Sequence, residues 1–318
     1  MGPPLHCVPG EAGEGPALTG GAARKVRFAS IPGLPSIAHP RPLLRELADS
    51  FFSVVFPTQC SLCSAEVASP GGLGVCRDCW SKVEPWEGLS CEWCGLPIVS
   101  EHAAGFAQIL CGQCRVGFPS FDCARSFGIY RGPLRQLILQ LKFRRRERLS
   151  RRLGALLGRA WGKLGGFDED APPLIVPVPL FRSRERERGF NQARLLAEGL
   201  RHHLEQSPGR KKIRIEAGLL VRTRATVPQA GLKFQARREN VRGAFAVAKL
   251  EGVRGRPIVL VDDVMTTGAT LSACASELKK GGAGRVLALA MARAAPQFPD
   301  VESVLEPAGI DEFGRDWR

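Results

Sequence analysis

The sequence predicts an α/β protein: a parallel sheet flanked by helices, with a small cysteine-rich module on its N-terminal side. Short apolar runs alternate with helical stretches in the second half of the chain, as in 174–178 before 190–205 and 258–261 before 269–281. Such alternation builds parallel sheets covered by helices. One of these strands runs into two acids and a Thr-Thr-Gly turn that opens a helix, at the carboxyl edge where open α/β sheets bind ligands. Eight of the 11 cysteines fall in four C-x-x-C pairs within one short stretch, which is metal-ligand spacing.

Residues 1–41 are rich in Gly, Pro and Ala without an apolar period, and are expected to form a disordered tail. Residues 42–122 make the module. It opens on a helix over 42–56, where Leu43, Leu44, Leu47, Phe51, Val54 and Val55 recur near helical spacing and Pro57 ends the run. The cysteine pairs follow: Cys60/Cys63, Cys76/Cys79, Cys91/Cys94 and Cys111/Cys114. The apolar content between them is too thin for an independent core, so a bound metal is expected to supply the missing stability. Two C-x-x-C turns complete one tetrahedral site, and four thiolates leave no open position. The expected cofactor is therefore structural zinc. Sequential and interleaved pairing of the turns are both open. His102 is the histidine nearest the pairs but is not at ligand spacing.

Residues 123–295 make the α/β domain. A strand is expected over 123–130, helices over 133–143 and 147–164, a strand over 174–178, and a helix over 190–205. A long polar loop follows at 226–243, then a strand over 258–261, a helix over 269–281 and a strand over 286–290. Residues 296–318 are Pro-rich and polar, an expected tail. Cys123 and Cys274 have no neighbour at metal spacing and read as small buried apolar side chains.

The formal net charge is +14, which suits a polyanionic partner and carries no information on fold. No stretch approaches the roughly 20 apolar residues of a membrane span, and no signal peptide is evident. Thiols at metal spacing imply a reducing compartment, so the expected location is the cytoplasm.

The sharpest local signal is PIVLVDDVMTTGATL at 257–271. Free N–H groups at a helix N-terminus, with Thr hydroxyls beside them, cradle an anion. Gly268 allows close backbone approach. Two carboxylates would repel a bare phosphate, but they suit a ligand with hydroxyls beside its phosphate, as in a ribose 5-phosphate. There is no Gly-Lys-Ser/Thr, so this is not a Walker A loop. A second signal is IVPVPLFRSRERERGFNQA at 175–193, where a loop after a strand carries Arg182, Arg184, Arg186 and Arg188. Arginine clamps two phosphate oxygens at once. A third is TVPQAGLKFQARRENVRGAF at 226–245, with Arg237, Arg238 and Arg242 as sources of charge in a mobile lid.

The 257–271 motif closely resembles the PRPP signature of type I phosphoribosyltransferases. Together with the four cysteine pairs, YRGPLRQLILQLKFR (130–144), PVPL…RERGFNQA and TVPQAGL…RREN…GAF, it makes the chain resemble the ComF (GntX-like) competence family over about 43–293. The resemblance implies a type I phosphoribosyltransferase fold after a double zinc ribbon. It implies that Asp262 and Asp263 hold the ribose hydroxyls, and that Thr266, Thr267, Gly268, Ala269 and Thr270 hold the 5′-phosphate. Arg182 and Arg184 would then hold pyrophosphate, with Arg237 catalytic from the lid and magnesium arriving with PRPP.

Such a protein would be a phosphoribosyltransferase linked to DNA uptake. The alternatives are a non-catalytic protein handling single-stranded DNA and a PRPP sensor; other competence proteins are further expected partners. For DNA, the run 142–152, Lys211/Lys212 and the rings of Trp80, Trp86 and Trp93 are the candidate contacts, although tryptophans in so small a module more often fill its core.

Overall fold

A computed structural model describes residues 58–67, 74–99, 108–117, 119–143, 147–165, 167, 172–206, 212–226 and 234–298. The expected tail 1–41, the helix 42–56 and the C-terminal tail beyond 298 lie outside the described residues. The described residues fall in two compact units, one containing 58–67 and 74–77, the other 78–298.

In the first unit, β1 (Thr58–Gln59) pairs antiparallel with β2 (Glu66–Val67). The turn between them is closed by Cys60 N–H donating to the Ala65 carbonyl at 2.7 Å. A short helix α1 (Arg77–Ser81) starts at the last residue of this unit and runs on into the second.

In the second unit, α2 (Gly112–Val116) precedes β3 (Cys123–Ile129). Helices α3 (Gly132–Phe143) and α4 (Glu147–Gly162) lead to β4 (Leu174–Pro177). Then come α5 (Arg182–Arg188) and α6 (Gln192–Glu205). A hairpin of β5 (Leu220–Arg222) and β6 (Phe245–Val247) encloses α7 (Phe234–Val241). The chain closes with β7 (Ile258–Met265), α8 (Ala269–Lys280) and β8 (Val286–Arg293). The four-stranded sheet has order β3-β8-β7-β4 and is parallel throughout. Ile215 adds a parallel bridge to Ile175 on the β4 edge.

The central strands are buried on both faces, and β8 is buried along its whole length, which is why they read as unbroken apolar runs. One face, with Leu174, Val176, Ile258, Leu260 and Ala288, shares a core with α8 and with Cys91, Cys94, Cys111 and Cys114. The pleat turns Ile175, Val259, Val261 and Leu287 the other way, toward α4 and α6, which contact the sheet there. Leu149, Leu153 and Leu157 of α4, each fully buried, recur at four-residue spacing and form the stripe that packs.

Three expectations need correction. The strand does not stop at residue 261. It runs through both acids to Met265, because β8 continues alongside it, pairing Asp262 with Ala290, Val264 with Ala292 and Met265 with Arg293. The arginine-rich segment after β4 is not a loop but helix α5. Its Arg and Glu residues are good helix formers, and Gly189 (φ 74°) terminates it in the left-handed conformation. The segment 226–243 is not all loop either: α7 forms over its second half, from polar residues that favour helix, and packs against α8.

Helices α4 and α6 cross at two glycines. A Cβ added to Gly199 would lie 2.3 Å from the Ser150 carbonyl oxygen, and one added to Gly154 would lie 2.2 Å from the Gly199 carbonyl carbon. Backbone lies against backbone, so nothing can give way. Gly199→Ala is expected to cost about 3 kcal/mol, the upper end of ordinary overpacking, read as a lowered urea midpoint. Gly162→Ala, where an added Cβ meets nothing within 4 Å, is expected to shift stability by less than about 1 kcal/mol.

Candidate functional site

The carboxyl edge of the sheet gathers the site. Two adjacent residues of a strand leave it on opposite faces, yet the Asp262 and Asp263 carboxyl groups remain within hydrogen-bond reach of each other. Asp262 lines a cleft of about 320 Å³ together with Thr270, Arg184, Arg188, Arg222 and Lys142. Asp263 is 6% exposed and forms an ion pair with Lys142 of α3, Oδ2 to Nζ 3.3 Å. Each carboxylate also accepts from the next backbone N–H: Asp263 N–H donates to Asp262 Oδ1, and Val264 N–H to Asp263 Oδ1, both at 2.9 Å.

The two carboxyl groups titrate as a pair. Burial, the Asp263 charge and a hydrogen bond to Asp263 push the Asp262 carboxyl well above the ordinary carboxylate range. Burial would raise Asp263 as well, but the Lys142 charge and the hydrogen bond from Asp262 hold it below its usual value. Lys142 is raised in turn by Asp263, against its own desolvation. One acid is thus an anion with a fixed counter-ion, and the other is poised to change its protonation.

The turn after β7 has the form of an anion cradle. Among the described residues, the N–H groups of Thr266, Thr267 and Gly268 donate to no protein acceptor. Gly268 caps α8 with φ 79°, and a Cβ there would lie 2.7 Å from the Met265 Cε. The Thr267 hydroxyl accepts from Ala269 N–H at 3.3 Å, fixing the first turn of α8. Thr266, Thr267 and Thr270 are half-buried, and Thr270 lies in the same cleft as Asp262.

Helix geometry sorts the arginines of α5. Arg184 and Arg188, four residues apart, share a face and line the cleft. Arg182 and Arg186 are exposed on the other side, so the structure does not bring Arg182 to the cleft. The Val178 carbonyl accepts from Asn191 Nδ2 at 2.9 Å, and Asn191 Oδ1 caps α6 by accepting from Ala193 N–H at 2.9 Å. Asn191 thereby ties the Pro177-Val178-Pro179 segment to the Gly-Phe-Asn-Gln motif. Arg188 donates to Gln192 Oε1 at 3.1 Å.

From the hairpin, Arg222 reaches the cleft and donates to the Thr226 hydroxyl. Arg237 is half-buried on α7 but is not in the cleft lining. Arg242 instead borders a separate groove beside α8. The side chain of Arg238 and residues 227–233 lie outside the described set. Lys142, Arg222 and Asn191 were not singled out for these roles from sequence, since each acts through a partner distant in the chain or on a different element.

Cys91, Cys94, Cys111 and Cys114 are all buried, with their sulfurs within 4.8 Å of one another, which settles the pairing as sequential. Cys94 Sγ and Cys111 Sγ are 3.6 Å apart, close to the ~3.8 Å edge of a tetrahedron of thiolates each about 2.3 Å from zinc. The donor set fits zinc in a closed, structural site. In the first unit, Cys60, Cys63 and Cys76 also hold their sulfurs within 4.8 Å of one another. Cys79, the second thiol of the pair begun by Cys76, is buried on α1.

Of the proposed base-stacking rings, Trp93 is buried in the core at 5% exposure, and the Arg152 guanidinium covers the Trp80 ring at 4.2 Å. No helix among the described residues is long and apolar enough to cross a membrane.

Comparison with known proteins gives two domain matches: a double zinc ribbon domain over residues 51–115 and a phosphoribosyl transferase domain over residues 213–313. The DNA utilization protein YhgH of Escherichia coli K12 is 34% identical over 72% of this chain and 94% of its own length. Competence protein F of Haemophilus influenzae is 34% identical over 70% of this chain and 91% of its own. Competence protein ComFC of Bacillus subtilis is 29% identical over 69% and 84% respectively.

Removing Lys142 leaves a buried carboxylate unpaired, which costs about 3 kcal/mol or more. A folded carboxyl held below its unfolded value contributes stability above the unfolded pKa and loses it as pH falls through the folded one. The stability gap between the parent protein and Lys142→Met is therefore expected to be largest near pH 7 and to shrink on acidification below about pH 4. Urea titrations across that range measure it.

Proposed function

The chain belongs to the ComF family, and on that premise we propose that it binds PRPP in the cleft at the carboxyl edge of β7 and acts as a phosphoribosyltransferase in DNA uptake or use. The observation that carries the reading is the convergence of Asp262, Thr270, Arg184 and Arg188 on one cleft, since this set matches the three chemistries of PRPP. Asp262, with Asp263 behind it, accepts from the ribose hydroxyls. The N–H groups and hydroxyls of Thr266–Thr270 receive the 5′-phosphate. Arg184 and Arg188 receive the pyrophosphate, with Arg222 and Lys142 adding positive charge at the rim. Magnesium arrives with PRPP and offsets its charge.

In the reaction the C1–O bond to pyrophosphate breaks, its electron pair leaving with the pyrophosphate, and an acceptor nucleophile bonds to C1. The transition state is oxocarbenium-like, as in glycosyl transfer generally. The chain's contribution is placement: fixed cations where negative charge accumulates, and carboxylates beside the ribose. The hairpin that holds α7 borders the cleft through Arg222, Ala225 and Thr226, a position from which a lid excludes water. Arg237 acts from that lid on closure. A thiolate metal site needs reduced cysteines, which supports a reducing compartment such as the cytoplasm.

The names of the relatives, competence proteins and a DNA utilization protein, support the DNA link. The net charge of +14 supports a second reading, direct binding of single-stranded DNA. Calorimetry with PRPP and magnesium tests the first. The parent protein is expected to take up one PRPP, and Asp262→Asn plus Asp263→Asn to weaken uptake by about tenfold or more, the loss of one charged hydrogen-bond set to the ribose at roughly 1.5 kcal/mol or more and of the Lys142 pairing behind it. No heat from folded parent protein sinks the reading. Salt-sensitive binding to an oligonucleotide that survives the double substitution supports the second as a separate activity. Pyrophosphate release distinguishes an enzyme from a sensor.

A further inference from the structure

We propose that Arg293 is a positioning residue that couples the Cys91/Cys94/Cys111/Cys114 metal site to the turn that begins at Thr266. Arg293 ends β8, opposite Met265 at the end of β7, and is 1% exposed. A guanidinium is charged at every physiological pH, and a buried charge is tolerated only when it is paired. No carboxylate among the described residues pairs with it. Its Nη1 donates to the Met265 carbonyl at 2.9 Å, and its Nη2 reaches Cys94 Sγ at 3.7 Å. The missing counter-charge is the metal site itself, because one Zn2+ with four thiolates carries a net charge of −2.

Arg125 supplies a second cation beside the same cysteines. It donates to the Glu92 carbonyl at 2.8 Å, within the Cys91/Cys94 turn. The metal site is therefore an anion held between the half-buried Arg125 and the buried Arg293, and Arg293 also grips the backbone of the ligand-binding edge.

That grip falls at a sensitive point. The Met265 carbonyl also accepts from Ala294 N–H at 3.0 Å, so it is held from two sides immediately before the chain leaves β7. The turn lies close to the tetrad: a void of only about 40 Å³ is lined by Cys94, Cys114, Phe121, Thr267 and Gly268. With metal bound, the thiolates fix the Arg293 fork, and the fork fixes Met265. Loss of metal removes the counter-charge, and the guanidinium must leave the site or shed its bond to Met265. Coupling of this kind is reciprocal, so whatever orders the turn slows metal loss. This last consequence rests on the reading of the turn as an anion site; the metal-to-turn coupling does not.

The experiment compares the full chain with Arg293→Met and Arg293→Lys in two readouts: zinc release to a chromophoric chelator and amide exchange over 265–270. Arg293→Met is expected to release one of two zinc ions about tenfold faster, as outer-shell changes do, while the other keeps its parental rate and reports a folded chain. Exchange at Ala269, whose N–H donates to the Thr267 hydroxyl, should accelerate in the same variant. Arg293→Lys keeps the charge but lacks the two-pronged fork, so zinc release should stay within about twofold of the parent while turn exchange still accelerates.

Parental zinc release in Arg293→Met overturns the proposal, as does unchanged turn exchange in Arg293→Lys, which decides the matter if the methionine variant does not fold. PRPP with magnesium is then added to the parent protein. Slower zinc release supports the reciprocal effect. Failure of PRPP to bind counts against the proposed function alone, because the release and exchange comparisons use no PRPP.

Discussion

The pleat of β7 is the constraint from which the site follows. Because the strand continues through Asp262 and Asp263, the two carboxyls differ in burial, yet they remain close enough to hydrogen-bond and titrate as a pair. Asp262 lines the cleft; Asp263 pairs with Lys142, whose side chain borders the same cleft. The protein thereby tolerates two acids side by side in a nearly buried strand, with one charge neutralised locally and the other discouraged by its neighbour. Had the chain turned at residue 261, both groups would have been free to approach solvent, and Lys142 would have had no fixed partner.

How much of this was legible in the sequence depends on the range of the interaction. The Thr-Thr-Gly turn and the start of α8 were legible because every residue involved lies within one short segment, and Gly268 bears a left-handed φ that its identity announces. The zinc ligands were legible for the same reason, although their pairing was not, since spacing alone permits two solutions. The reach of β7 was hidden because it depends on β8 running beside it, a contact between strands that no local pattern encodes. Lys142 looked like the start of a basic run, and only the approach of α3 to the sheet turns it inward. In the arginine-rich segment the residue types are informative, but a run of Arg and Glu suits a solvated loop as well as a helix. Helix rather than loop decides that Arg184 and Arg188, not Arg182, face the cleft.

The second cysteine tetrad is not an ornament on the α/β unit. Its sulfurs share a core with α8 and the sheet, and Ala124 N–H donates to the Trp93 carbonyl at 2.7 Å, which stitches the metal turn to β3. A segment with so few apolar side chains folds by borrowing: part of its interior is the sheet, part the metal. The match of the double zinc ribbon domain ends at residue 115, yet the packing that depends on it extends to the last strand.

The hairpin beside the cleft is clasped at its base. Arg224 donates to the carbonyls of Asn240 and Arg242 at 3.0 and 2.9 Å, so the chain leaving β5 is pinned to the chain entering β6 behind α7. With both ends of the excursion fixed, the entropic cost of lengthening it grows only logarithmically, about 0.6 kcal/mol for each doubling. Extra residues inserted between Thr226 and Phe234 would thus be nearly free thermodynamically. The excursion between β5 and β6 can therefore change length without disturbing the stem that carries Arg222.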